Sequence, residues 1–124
     1  MTKIRIFIAC ADERLRIAML LLLEQEPGIF VVGITDRLPG LLVHLEASQP
    51  DVLLLEWELS FKSMAKLLSD IHNLEYPPKI VLLSSRPEEK EKITAAGADH
   101  FISKDAPPDE LLPFLTNISY PINL

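Results

Sequence analysis

Residues 51–60 read DVLLLEWELS: an unbroken apolar run, then a carboxylate, a tryptophan and a second carboxylate. The run VLLL at 52–55 has no polar alternation, and IVLL at 80–83 repeats the pattern. A strand apolar on both faces belongs in the middle of a parallel sheet, with helices covering it from both sides. Working outward, strand-like runs at 3–9, 29–35, 51–55, 79–83 and 99–103 alternate with helical patterns at 38–48, 60–73 and 87–96. A further helix from Asp12 to before Pro27-Gly28, and a last one from Pro107-Pro108, complete five βα units. Asp12 can cap the first helix, Gly97 can close the fourth, and Pro113 predicts that the last is kinked or short. The expected fold is α/β: a flavodoxin-like three-layer sandwich with a five-stranded parallel sheet of order 2-1-3-4-5 and five helices.

The first helix is apolar beyond one stripe. Leu15, Met19, Leu22 and Leu23 form the inner face, while Ile17, Leu20 and Leu21 extend onto the other. The expectation is a helix packed on several sides; the alternative is a surface for self-association.

At 124 residues, a single domain over 1–124 is expected, with enough chain to bury a core unaided. The net charge of −6 argues against this segment gripping nucleic acid or an anionic membrane. Its lone cysteine, Cys10, has no disulfide partner within the chain, and the longest apolar run, 17–23, is too short to span a bilayer. A cytoplasmic location is expected.

In a doubly wound sheet, chemistry gathers beyond the carboxyl ends of the strands. Here that means Cys10 to Glu13, Thr35-Asp36, Glu56 to Glu58, Ser84 to Arg86 and Ser103 to Asp105. Phosphoryl transfer to a carboxylate would need a nucleophilic Asp, further carboxylates for Mg²⁺, a cation and a hydroxyl. Lys104 supplies the cation, Ser84 the hydroxyl and Glu56 a carboxylate, but Cys10-Ala11 offers a metal no oxygen. Only Glu56, Asp12 and water remain as ligands, so no metal and no cofactor are expected.

The stretches IRIFIACADERLR, QPDVLLLEWEL, PPKIVLLSS and AAGADHFISKDA, in this order and spacing, resemble the receiver domains of two-component response regulators. The resemblance is strongest to receivers that precede a helix-turn-helix DNA-binding domain, and covers residues 3–112. It implies that Glu56 stands at the phosphoacceptor aspartate, and Cys10 and Ala11 at the acidic metal-binding pair. Ser84 stands at the switch hydroxyl, Phe101 at the switch aromatic and Lys104 at the invariant lysine. Glu58-Leu59-Ser60 lacks the Met-Pro that normally follows the acceptor. The chain therefore looks like a pseudo-receiver, a non-enzymatic signalling module that is not phosphorylated in the usual way. It is expected to act through a protein partner or as a homodimer, in transcriptional regulation, with a C-terminal DNA-binding effector domain in any longer regulator. In that reading Glu56 either mimics the phosphorylated state through Lys104 or is simply a buried ion pair.

Two alternatives stand beside it. One is a phosphorylatable receiver with an unusual acceptor and metal site. The other is an enzyme: Cys10 to Arg16 reads C-x5-R, which resembles the phosphate loop of low-molecular-weight tyrosine phosphatases. That loop needs a nest of backbone amides and a low thiol pKa, whereas ADERL has no glycine and two carboxylates. His44, His72 and His100 form no metal-ligand spacing. Trp57 is read as packing beneath a helix, and the charges at 88–92 as a solvated helix face.

Overall fold

The computed structural model describes residues 3–59, 64–86, 88, 90–105, 111–113 and 115. Strands β1 (Ile4–Ala9), β2 (Ile29–Thr35), β3 (Val52–Glu56), β4 (Lys79–Ser84) and β5 (His100–Ser103) form one parallel sheet in the order β2-β1-β3-β4-β5. Helices α1 (Glu13–Glu24), α2 (Leu41–Ser48), α3 (Met64–His72) and α4 (Lys90–Ala95) alternate with them, and residues 111–113 and 115 mark the fifth helix. A 3₁₀ turn, Trp57–Leu59, follows β3. Among the described residues no helix is long and apolar enough to cross a membrane.

The strand positions follow from composition. Every residue of β3 is buried, as is β4 beyond its first residue, while β2 and β5 at the edges are only partly covered. The sheet separates two apolar layers because side chains alternate along each strand. Ile4, Ile6 and Ile8 pack with Met19 and Leu23 of α1 on one side; Phe7 and Ala9 pack with Leu41, Leu68 and Ile93 on the other. Burying these side chains is worth about 1.5–3 kcal/mol each for the larger ones.

Two local features shape the ladder. The β1–β2 register shifts between Ile6 and Phe7, and Phe7 then pairs with Gly33. A Cβ on Gly33 would lie 2.3 Å from Phe7 Cε2, so this close approach requires glycine. Asp12 caps α1 as expected, its side chain accepting the Leu15 N–H at 3.1 Å. Gly97, in a left-handed conformation, follows α4 and donates its N–H to Thr94 O at 3.1 Å.

The helices depart from expectation at two places. α2 starts at Leu41 and not at 38, because Gly40 adopts φ 83°, which breaks the helical path just before it. On α1 the expected packing on several sides is not found. Leu20 joins the first apolar layer, but Ile17 is 45% exposed and Leu21 56%. The helix lies over β1 and the edge strand β2, so its outer face has no layer above it among the described residues. The expected helix starts at Ser60, Pro87 and Pro107-Pro108 lie outside the described residues, while Pro113 stands among the helical residues 111–113.

Candidate functional site

The carboxyl ends of β1, β3, β4 and β5 bring five of the residues singled out in the sequence into one cluster. Glu56 closes β3 and is buried. Its Oε1 accepts the Ala11 N–H at 2.8 Å and the Asp12 N–H at 3.4 Å, so the loop after β1 folds over the carboxylate. Its Oε2 accepts from Lys104 Nζ in an ion pair with side chains only 5% and 16% exposed. Lys104 is placed there because its backbone N–H donates to Ser84 O at 3.0 Å, extending the β4–β5 ladder by one residue.

Glu58, which the sequence placed at a strand end and as a departure from the receiver pattern without giving it a role, is the residue this cluster adds. Lys104 Nζ lies 3.0 Å from Glu58 Oε2, and Ser84 Oγ donates to Glu58 Oε1 at 3.1 Å. The 3₁₀ turn makes this possible, since it rotates Glu58 back over the site two residues beyond Glu56. A second carboxylate at that spacing after an unalternating strand was the available signal. Ser84 is fully buried and its Oγ also accepts the Arg86 N–H at 3.1 Å. Lys104 thus sits between two carboxylates, one of which also fixes the hydroxyl at the end of β4.

The electrostatics agree with this wiring. Burial alone would lower the Lys104 ammonium, but hydrogen bonding and charge from Glu56 and Glu58 outweigh it and hold its pKa above the usual lysine value. Burial would raise Glu58, but the Lys104 and Ser84 contacts and a backbone hydrogen bond hold it below the usual carboxylate value.

The remaining sequence candidates fall around this cluster. Phe101 is half-buried against the second apolar layer, together with Trp57, which packs there immediately beside Glu56. Cys10 is fully buried, and burial, with the nearby Glu56 charge, pushes its thiol pKa up to about 12. Arg16 donates to the Cys10 and Ala11 carbonyls at 3.0 and 3.3 Å. A protonated, enclosed thiol beside an arginine held by backbone carbonyls does not support the phosphatase reading. His44, His72 and His100 stand on three separate elements; His72 Nε2 contacts Gly97 O at 2.7 Å.

A magnesium site of the receiver kind does not fit these residues. Ala11 has no ligand atom, Cys10 offers a buried thiol, and Asp12 Oδ1 caps α1. Both oxygens of Glu56 are already engaged, and among the described residues no group of three potential ligands is placed to hold a metal.

The sequence profile of the response regulator receiver domain matches residues 6–116. Among solved structures, the signal receiver domain of NarL from Mycobacterium tuberculosis is 22% identical with a TM-score of 0.86, over 98% of this chain and 99% of that one. A LuxR-family DNA-binding response regulator from Staphylococcus aureus is 21% identical, TM-score 0.79, over 93% and 98% of the two chains. The isolated receiver domain of RcsB from Salmonella enterica serovar Typhimurium, in the presence of the phosphomimetic BeF3⁻, is 17% identical, TM-score 0.82, over 97% and 91%. At these identities the likeness shows a shared fold. No curated protein sequence matches the chain.

Proposed function

The chain belongs to the response regulator receiver domain family of signal-transduction proteins, and on that premise we infer that it is a pseudo-receiver, acting without phosphorylation at its acceptor position. One observation carries this reading: the carboxylate at that position is fully committed, Oε1 to the backbone amides of Ala11 and Asp12 and Oε2 to Lys104. A phosphoryl acceptor needs a free carboxylate oxygen and a metal to neutralise the incoming charge. Glu56 lacks the first, and the residues around it do not fit the second. Glutamate also reaches one methylene further than aspartate, and misplacement on that scale removes large factors from a positioned reaction.

The same arrangement supplies what a phosphoryl group would. Negative charge from Glu56 and Glu58 engages Lys104, and Glu58 holds the Ser84 hydroxyl. The domain is therefore held in one state of its lysine and hydroxyl positions by covalently attached carboxylates, and it signals by protein contact. Transcriptional regulation, through an attached or separate DNA-binding effector, and a cytoplasmic location are the setting we infer.

The test uses Trp57, packed beside Glu56, as a fluorescent reporter. Mg²⁺ and then beryllofluoride are titrated in, and the protein is weighed by mass spectrometry after acetyl phosphate treatment. The expected result is no saturable response and no added phosphate. A metal-dependent change with phosphate mapped to Glu56 or Asp12 would overturn the reading and establish a phosphorylatable receiver with an unusual site.

A further inference from the structure

The first apolar layer is not filled to its end. On α1, Leu15, Met19 and Leu22 are three or four residues apart and share one face with Ala18. Between that face, Leu83 of β4, Ile102 of β5 and Leu111 lies a cavity of about 480 Å³. Apart from Ser103 and Lys104, the described residues that line it are apolar. Ala18 is exposed, so the cavity meets solvent past a side chain too small to close it. Protein interiors leave few voids larger than a water molecule, whereas a space of this size with a few polar groups in an apolar lining has the character of a small-molecule site.

The chemistry of its polar end is set by Lys104. An ammonium has three N–H donors. The ion pairs with Glu56 and Glu58 engage two of them, and among the described residues no third acceptor stands on the group. One positive charge against two carboxylates leaves the cluster with an excess negative charge. An anionic head placed there would meet that excess. A cationic head is disfavoured for a different reason: Lys104 lines the cavity, while the oxygens of Glu56 and Glu58 are already engaged by Lys104, Ser84 and the Ala11 N–H. A neutral acceptor takes the remaining donor without either conflict.

We propose that this cavity binds a neutral, mainly apolar acyl compound (an ester, amide or ketone) whose hydrocarbon chain lies among Leu15, Met19, Leu22 and Leu111 and whose carbonyl oxygen accepts a hydrogen bond from Lys104. Such a ligand touches α1, the ends of β4 and β5, and Leu111 at once, so it braces them against one another. It also reaches the ion cluster from the side opposite Glu56 and Glu58, and so couples a small molecule to the lysine position. The proposal goes beyond the pseudo-receiver reading and does not rest on it, since the cavity and the Lys104 contacts are independent of phosphorylation.

Isothermal titration calorimetry of the full chain with methyl octanoate, and with the octanoate ion beside it, makes the test, and far-UV circular dichroism checks the fold of each variant. The ester is expected to bind saturably with a Kd below about 1 mM, and the ion at least roughly tenfold more weakly. Ala18→Phe places a ring across the mouth at an exposed position, and should weaken ester binding at least roughly tenfold with the fold kept. In the infrared, the ester carbonyl stretch should move to lower frequency on binding to the wild type and lose that shift in Lys104→Met. Absence of saturable binding overturns the proposal, as does an ion that binds as tightly as the ester. So does an unchanged affinity in Ala18→Phe, or a bound carbonyl whose stretch does not move. Any of these results leaves the phosphorylation test of the pseudo-receiver reading untouched.

Discussion

Replacing Lys104 by methionine keeps much of the side chain's length and removes its charge, which isolates what the ammonium does between Glu56 and Glu58. Breaking a buried pair by deleting one partner typically costs about 3–5 kcal/mol, because the other charge is left uncompensated. Here Lys104 is 16% exposed and Glu58 27%, so water and rearrangement of Glu58 relieve part of the penalty. A loss of about 2–4 kcal/mol at pH 7 is the expected size. For a domain of this length each kcal/mol corresponds to a shift of roughly 3–5 °C in Tm, so Tm should fall by roughly 6–20 °C. Adding Glu56→Gln to Lys104→Met should return part of the loss, since the double variant leaves one fewer buried charge. The double-mutant cycle then gives a coupling of about 1–3 kcal/mol. A pH series supplies an independent check. In Lys104→Met the neighbouring Glu58 loses the cation that holds its pKa down, and burial then pushes it up. Protonation then favours the folded state, and the deficit should shrink as pH falls toward 5. Differential scanning calorimetry of the four proteins at pH 5 and 7 makes the measurement. A change in Tm below about 3 °C for Lys104→Met at pH 7, with no coupling to Glu56, would refute the claim that this ion cluster organises the strand ends.

Three further outcomes follow from the same structure. In the wild-type chain Glu58 is held below its ordinary pKa and Lys104 above, so the stability they contribute is present between the two unfolded values. It should fade as pH drops below about 4.5 or rises above about 10.5, and Glu58→Gln should flatten the acid limb of a Tm–pH profile. The Cys10 thiol, buried with a pKa near 12, should react with a disulfide reagent at pH 8 only on the timescale of global unfolding. Reaction within seconds in the native protein would contradict that. Gly33→Ala should destabilise the fold by about 1–3 kcal/mol in urea unfolding, because the added methyl overlaps the Phe7 ring. Combining it with Phe7→Leu, which removes the ring edge, should make the glycine change cost less than it does alone.

The βα alternation, the sheet order and the central place of β3 and β4 were legible because periodicity and unbroken apolar runs report directly on how many faces of a strand are covered. Asp12 as the cap of α1 was legible for a local reason, since its hydrogen-bond partner is three residues away. The start of α2 was misjudged because the helical pattern at 38–48 gives no sign that Gly40 will take a left-handed conformation.

The residue types at the strand ends were also legible as chemistry. Cys10, Ala11 and Glu56 stand at the ends of recognisable strands, and residue type alone says that Ala11 has no side-chain ligand atom and Cys10 no oxygen. Which groups those residues touch was a different matter. Ala11 and Glu56 are 45 residues apart, Glu56 and Lys104 are 48 apart, and Ser84 and Glu58 are 26 apart. Contacts of that range depend on sheet register and on the turn after β3, neither of which leaves a periodic trace. The amino-acid sequence determined the layers and the strand order, because these depend on residue type and spacing. Only the tertiary structure decided that Glu58 shares Lys104 with Glu56 and holds Ser84, and that Ile17 and Leu21 face outward. Both depend on what the packed sheet places beside, or leaves away from, each side chain.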